Sequence, residues 1–273
     1  MPNKKLEQYK KRMTEVPGGF EFTSLGVIDV LNDLQVATDV GGDILEIGCY
    51  LGRSSIALGY LLEDGEELHV CEPFPTPDPD DPDFLAHTID WYEPYNQKLF
   101  EQNYLKFHSQ LPHIYAHTSL KLPGKLSPRT FRFVHMDGSH SPAALASDIA
   151  LTRSLLVDGG IVAFSQFRSV HTLEVSAAVF GELAGSSLQP LCATPIHLFA
   201  SWAPEPLGDL DDLSSRLEKI PSVRVVISEF DGKPIPLIHP PKPGTTSGVK
   251  SFVPPVMLPL AKKARSTLMG RDR

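Results

Sequence analysis

A chain of 273 residues with 41% hydrophobic and 21% charged side chains has the makeup expected of a globular protein, long enough for one large α/β domain with additions. Its formal charge of −8 speaks against a general nucleic-acid binder, whose binding domain ordinarily carries a basic surplus. No apolar run approaches the ~18 residues of a membrane span, and the basic start, Met1 to Arg12, has no apolar stretch behind it, so a cytoplasmic protein is expected. Cys49, Cys71 and Cys192 are widely spaced with no C-x-x-C, which indicates neither a disulfide framework nor a zinc site.

Two helices are predicted near the start, over Lys4–Thr14 and Ser24–Val36, separated by Pro17-Gly18-Gly19. Leu25, Ile28, Leu31 and Leu34 give the second an apolar stripe, read as packing against a sheet. Ile44 to Ile47, apolar apart from Glu46, suits a strand buried on both faces of a parallel sheet. Gly48 and Gly52 then mark a turn, Ser54–Leu62 a helix, and Leu68–Cys71 a second strand that ends in Glu72. A strand, glycine turn and helix of this kind present backbone N–H groups and the positive end of a helix dipole to a ligand. The carboxylate closing the second strand is placed to accept hydrogen bonds from a ribose diol.

The spacing separates nucleoside classes. Dinucleotide folds need G-x-G-x-x-G, whereas this turn reads Glu46-x-Gly48-x-x-x-Gly52, which disfavours an NAD(P)-dependent oxidoreductase. An acid two residues ahead of the first glycine repels a pyrophosphate but suits a cationic amino-acid end. On these residues the chain resembles class I S-adenosylmethionine-dependent methyltransferases, whose first motif has this acid and glycine spacing and whose second ends in an acid that binds the ribose. The resemblance implies S-adenosylmethionine as cofactor, with Glu46, Gly48, Tyr50, Gly52, Ser54, Glu72 and, further along, Asp137 at the binding positions.

Prolines and acids crowd Pro73–Pro94, which forbids regular structure there and reads either as a contributor to a site or as a solvated acidic loop. Asn96–His108 is a predicted helix and Ile114–Ala116 a short strand leading to Ser119, the one position that the resemblance carries over near the adenine. Phe131–Met136 is the next strand, running into Asp137-Gly138-Ser139-His140. Ser141 caps a helix that opens on Pro142, carries Leu145, Ile149, Thr152 and Leu156 on one face and stops at Gly159-Gly160, before a strand at Ile161–Phe164. The repeated βαβ pattern predicts a Rossmann-like, doubly wound, mostly parallel α/β sheet with helices on both faces, N-terminal helices and a C-terminal extension.

Further on, the pattern predicts a helix over Glu174–Leu183, a strand over Ile196–Trp202, a helix over Asp209–Lys219, and strands at Val223–Ser228 and Ile235–Ile238 around the Asp231-Gly232 turn. From Pro240 a proline-rich arm follows, with a short basic helix over Met257–Arg273 suited to an anionic partner or another subunit. The expected organisation is an N-terminal helical cap (1–40), a methyltransferase domain (41–203), an α/β addition (204–239) and a proline-rich basic tail (240–273).

His140 is the candidate general base, since an unactivated alcohol is a poor nucleophile and an imidazole of pKa near ~6.5 accepts a proton at neutral pH. His135 reads as a packed strand residue, and Asp148 as facing solvent or capping a neighbour. Asp137-Gly-Ser-His140, the capped helix and the Gly-Gly strand resemble the sugar O-methyltransferases of macrolide biosynthesis and their relatives near cephalosporin hydroxylase. That branch implies a magnesium ion on Asp137, His140 as base, and an acidic pair after the next strand. Here the pair falls on Ser165-Gln166, which leaves Asp137 as the sole carboxylate at a position where magnesium wants hard anionic oxygens. The metal is then dispensable, or supplied with ligands by Asp78–Asp83, or activity has been lost. The expected function is methylation of a hydroxyl on a small-molecule acceptor, a sugar or glycoside, with no nucleic acid and no membrane span involved. Dimers are common in the branch, and a homodimer is an open expectation. The competing reading is a catalytically silent cofactor-binding protein that regulates or scaffolds a partner.

Overall fold

A computed structural model describes residues 4–75, 95–203 and 208–239. Most of the proline-rich acidic stretch, including Asp78–Asp83, and the arm from Pro240 onward lie outside the described residues. Strands β1 (Asp43–Ile47), β2 (Leu68–Cys71), β3 (His113–Tyr115), β4 (Phe131–Met136), β5 (Leu156–Phe164), β6 (Gln189–Ala193), β7 (Leu198–Ser201), β8 (Arg224–Phe230) and β9 (Lys233–His239) form one sheet in the order β3-β2-β1-β4-β5-β7-β6-β9-β8. The first five are mutually parallel, β7 runs antiparallel to β5 and β6, and β9 joins β6 before the β8–β9 hairpin closes the edge. The chain moves from β1 outward to β2 and β3, then returns to the other side of β1 for β4. That reversal opens a crevice at the carboxyl ends of the strands, where open α/β sheets take their ligands.

Alternation along β1 explains the two-layered core. Ile44 packs with α1 (Lys4–Arg12), α2 (Phe22–Ala37), α3 (Arg53–Gly59) and α4 (Gln97–Tyr104), while Leu45 and Ile47 face the cluster beneath α5 (Pro142–Leu155) and α6 (Leu173–Gly185). A last helix, α7 (Leu210–Leu217), adds Leu213 and Leu217 to the first cluster. The N-terminal helices are fastened to the motif turn. Tyr9 donates its hydroxyl to the Arg53 carbonyl at 2.6 Å, and Arg53 Nε returns to the Val16 carbonyl at 2.6 Å.

Ser141 Oγ accepts the Ala144 amide at 3.3 Å with Pro142 in the first helical turn, so the cap predicted for α5 is present. The helix ends at Leu155, short of the glycine pair, because Leu156 already pairs with Phe131 of β4. Gly159, at φ 78°, instead sits inside β5 where the register with β4 shifts, so the glycine serves a bulge. β6 escapes the sequence pattern: Pro190 argues against a strand, and pairing with β7 and β9 makes it one. Asp231 and Gly232 take φ 51° and 73°, the left-handed pair that a two-residue hairpin needs. Asp148 departs from its expected exposure. It is buried, with Oδ2 close beneath Gly138, because its helix face packs on the sheet.

Candidate functional site

Gly48 carries the chain off the end of β1 at φ 84°, and a Cβ there would stand 2.1 Å from the Asp137 carbonyl oxygen. Only glycine lets the β1 and β4 exits approach so closely. The chain then turns back on the end of β2. The Cys49 and Tyr50 amides each donate to Glu72 Oε2 at 3.0 Å, with Tyr50 at φ 49°. Glu72 Oε1 accepts the Phe74 amide at 3.3 Å and the Tyr95 hydroxyl at 3.0 Å. Burial pushes the Glu72 carboxyl above its ordinary range, against these four hydrogen bonds, which pull it down. Tyr50 and Tyr95 meet edge to face at 4.8 Å, so aromatic surface surrounds the acid.

This donor set fits a ribose. Glu72 already accepts one hydroxyl, that of Tyr95, and a ribose hydroxyl is the same kind of donor to the same oxygen. Tyr95 follows the proline-rich stretch and had no signal in the sequence beyond its place there.

Glu46 lies elsewhere. It is fully buried below the turn, accepting from Ser55 Oγ and from His135 Nδ1, the latter at 2.8 Å. His135 Nε2 stands 3.1 Å from His197 Nε2, and His197 Nδ1 stands 2.8 Å from Ser24 Oγ. A continuous buried polar chain therefore links β1, β4, the approach to β7 and α2. Burial by itself lowers the His135 pKa, but the hydrogen bond and charge of Glu46 outweigh it and leave His135 raised. Burial, aided by the His135 charge, drops His197 well below its ordinary value. Of the two rings, the one beside the carboxylate is thus the one that favours the proton. The cross-strand register, Glu46 against His135, was the available signal, since an acid inside a buried strand needs a partner.

At the end of β4 the Asp137 amide donates to the Ile47 carbonyl at 2.7 Å, and Gln166 Nε2 donates to Asp137 Oδ1 at 3.2 Å. Loss of water raises the Asp137 carboxyl above its ordinary range, while the charges of His135 and His140 and the hydrogen bonds of Gln166 and Ser165 oppose the rise. His140 is half-buried in the turn between β4 and α5, near enough for Asp137 to feel its charge. Magnesium does not fit this arrangement. The second position carries an amide donor that faces the carboxylate, where an ion needs anionic oxygens. Among the described residues, no group of three or more potential ligands includes Asp137.

Ser54, second in α3, and Ser119, opening a 3-10 turn after β3, are both buried. The fold therefore gathers Gly48, Tyr50, Gly52 and Glu72 about one turn and sets Asp137 and His140 at the adjacent strand end. Glu46 supports that turn from below.

Residues 45–166 match the family model described as a methyltransferase domain. Among curated proteins, none matches. Among solved structures, the chain is similar to the O-methyltransferase NovP at 13% identity, covering 63% of this chain and 77% of that one with a TM-score of 0.48. It is similar to CalS11, a TDP-rhamnose 3'-O-methyltransferase of calicheamicin biosynthesis, at 16% identity, covering 73% and 94% with a TM-score of 0.46. The Podospora anserina methyltransferase PaMTH1, bound to SAH, is matched at 13% identity over 86% and 87% with a TM-score of 0.40. The matched family segment spans β1 to β5 and both strand-end turns of the candidate site, and in it the chain resembles the class I S-adenosylmethionine-dependent methyltransferases.

Proposed function

We propose that the chain is an S-adenosylmethionine-dependent O-methyltransferase that methylates a hydroxyl of a small molecule, a sugar or glycoside. The observation that carries this reading is the juxtaposition of two turns at neighbouring strand ends, one holding Glu72 and the other Asp137 and His140. S-adenosylmethionine, when bound, supplies an activated methyl group. Glu72 would hold the ribose diol, while Gly48, Tyr50, Gly52, Ser54 and Ser119 would shape the surrounding crevice. His140 would accept the proton of the acceptor hydroxyl on a ring nitrogen, and Asp137 beside it would balance the imidazolium that forms. Gln166 holds Asp137 in place, so the base needs no metal partner in this scheme. Glu46 acts as a positioning residue under the turn.

The test combines calorimetry with the cofactor and its demethylated product and a methyl-transfer screen over sugars, phenols and amines. Turnover of a sugar hydroxyl, with His140→Ala slower by about 10²–10⁴-fold at unchanged cofactor affinity, is the expected result. Absence of cofactor binding overturns the whole reading. An amine or phenol acceptor overturns the substrate, and wild-type turnover by His140→Ala overturns the base.

A further inference from the structure

A second cluster of ligating side chains lies at the opposite end of the sheet, where β1, β2 and β3 begin. Asp43 opens β1, Glu67 immediately precedes β2, His69 is the second residue of β2, and His113 opens β3. Parallel pairing sets His69 against His113, and their rings stack at 4.8 Å and 20°. One ligand atom from each of Glu67, His69 and His113 lies within 4.8 Å of the others. His113 Nε2 is 3.0 Å from Glu67 Oε2, and His69 Nε2 is 3.6 Å from Asp43 Oδ2.

The atom that singles out this cluster is His69 Nε2. It is buried with no acceptor inside hydrogen-bond distance, its nearest acid, Asp43 Oδ2, standing 3.6 Å away as an ion-pair neighbour. Buried polar nitrogens are rarely left so, because nothing then replaces the water they have lost. Two ligands of a tetrahedral ion bound at about 2.0–2.1 Å lie about 3.3 Å apart, close to the 3.0 Å between His113 Nε2 and Glu67 Oε2. The surroundings suit a ligand as well. The Tyr115 hydroxyl lies 3.2 Å from His69 Nδ1 and can accept its proton, leaving Nε2 with a lone pair. The Glu67 amide donates to Asp43 Oδ1 at 2.9 Å and holds that carboxylate across the gap.

We infer that Glu67, His69 and His113 form a binding site for a late first-row divalent cation, with Zn²⁺ as the representative ion and Asp43 beside it. Two imidazoles select that class over magnesium or calcium, and the Glu67 carboxylate, with Asp43 behind it, offsets its charge. The ion would tie the starts of β2 and the edge strand β3 together, far from the crevice. The inference is therefore independent of methyl transfer.

The test uses untagged full-length protein freed of metal by a chelator, titrated with Zn²⁺ by calorimetry and with Co²⁺ by visible absorption. One equivalent per chain, tetrahedral cobalt bands and a raised melting midpoint are expected. Glu67 and His113 side chains are 60% and 54% exposed, so Glu67→Gln and His113→Ala should fold normally. Each should weaken Zn²⁺ binding roughly tenfold or more while leaving the metal-free midpoint in place. No saturable uptake of Zn²⁺, or uptake that both variants retain undiminished, overturns the site.

Discussion

Gln166 Nε2 donates to Asp137 Oδ1 at 3.2 Å, so the carboxylate at the end of β4 faces a neutral donor where the resembling branch places an acid on a metal. The amide does by hydrogen bonding part of what a cation would do by charge. Millimolar magnesium added to protein already freed of metal should therefore change neither melting midpoint nor cofactor affinity. Gln166→Glu, which turns the donor into a second carboxylate, should cost about 1–3 kcal/mol of stability, and added magnesium should restore part of it. Denaturant unfolding with and without the ion measures both effects. Full magnesium dependence of the wild type would contradict the reading.

Tyr95 is the side-chain donor on Glu72, and its hydroxyl occupies the oxygen that the proposed ribose would use. Tyr95→Phe should tighten binding of the cofactor or its demethylated product by roughly tenfold, since no phenol has to be displaced. The three backbone donors remain to hold the carboxylate. Calorimetry checks this, and weaker binding by the variant would make Tyr95 a contact for the ligand instead of a competitor.

Two glycines with similar backbone angles should differ in cost. Gly48→Ala drives a methyl group to 2.1 Å from the Asp137 carbonyl oxygen and should destabilise by about 3–5 kcal/mol, the upper end for single substitutions. Gly124→Ala, at φ 78° with nothing within 4 Å of the added carbon, should lose only the ~1–2 kcal/mol of left-handed backbone strain. Equal losses in thermal or urea unfolding would remove the close approach of β1 and β4 as the reason for Gly48.

The buried histidine pair should make stability depend on pH in opposite directions. His197 is held neutral by burial and by the His135 charge, so below its unfolded value of about 6.5 the unfolded chain binds the extra proton. Its share of stability is present above that value and is lost as pH falls, at about 1.4 kcal/mol per unit. His135, raised beside Glu46, contributes below about 6.5 and loses its share as pH rises through its folded value. His197→Gln should therefore show an acid-side slope shallower by about one proton, measured as unfolding free energy against pH. Identical slopes would mean that His197 takes up its proton inside the fold.

Much of the fold was legible because its signals are local. Apolar runs read β1 and β2, and an alternation of aromatic and polar residues read β4, almost to the residue; Ser141 with Pro142 started α5, and Asp231-Gly232 turned the β8–β9 hairpin. The differences fall where pairing overrode local preference. Leu156 left its helix to pair with β4, and Gln189–Ala193, for which no element was predicted, became a strand beside β7 despite Pro190. The site divides in the same way. Gly48, Glu72, Asp137 and His140 stood out as residue types at strand ends. Their partners did not: Tyr95 is 23 residues from Glu72, Gln166 is 29 from Asp137, and His135 is 89 from Glu46.

By itself the sequence determined where strands and turns begin and which acids and histidines reach the carboxyl edge, because periodicity and turn chemistry act over a few residues. Only the tertiary structure decided what each of those groups bonds to. It put Glu46 under the turn with His135, set an amide against Asp137, and brought His69 to Glu67 and His113 at the starts of two neighbouring strands. The reason is that a buried polar atom must find its partner in space, and strand order in a parallel sheet brings together positions that no local pattern connects.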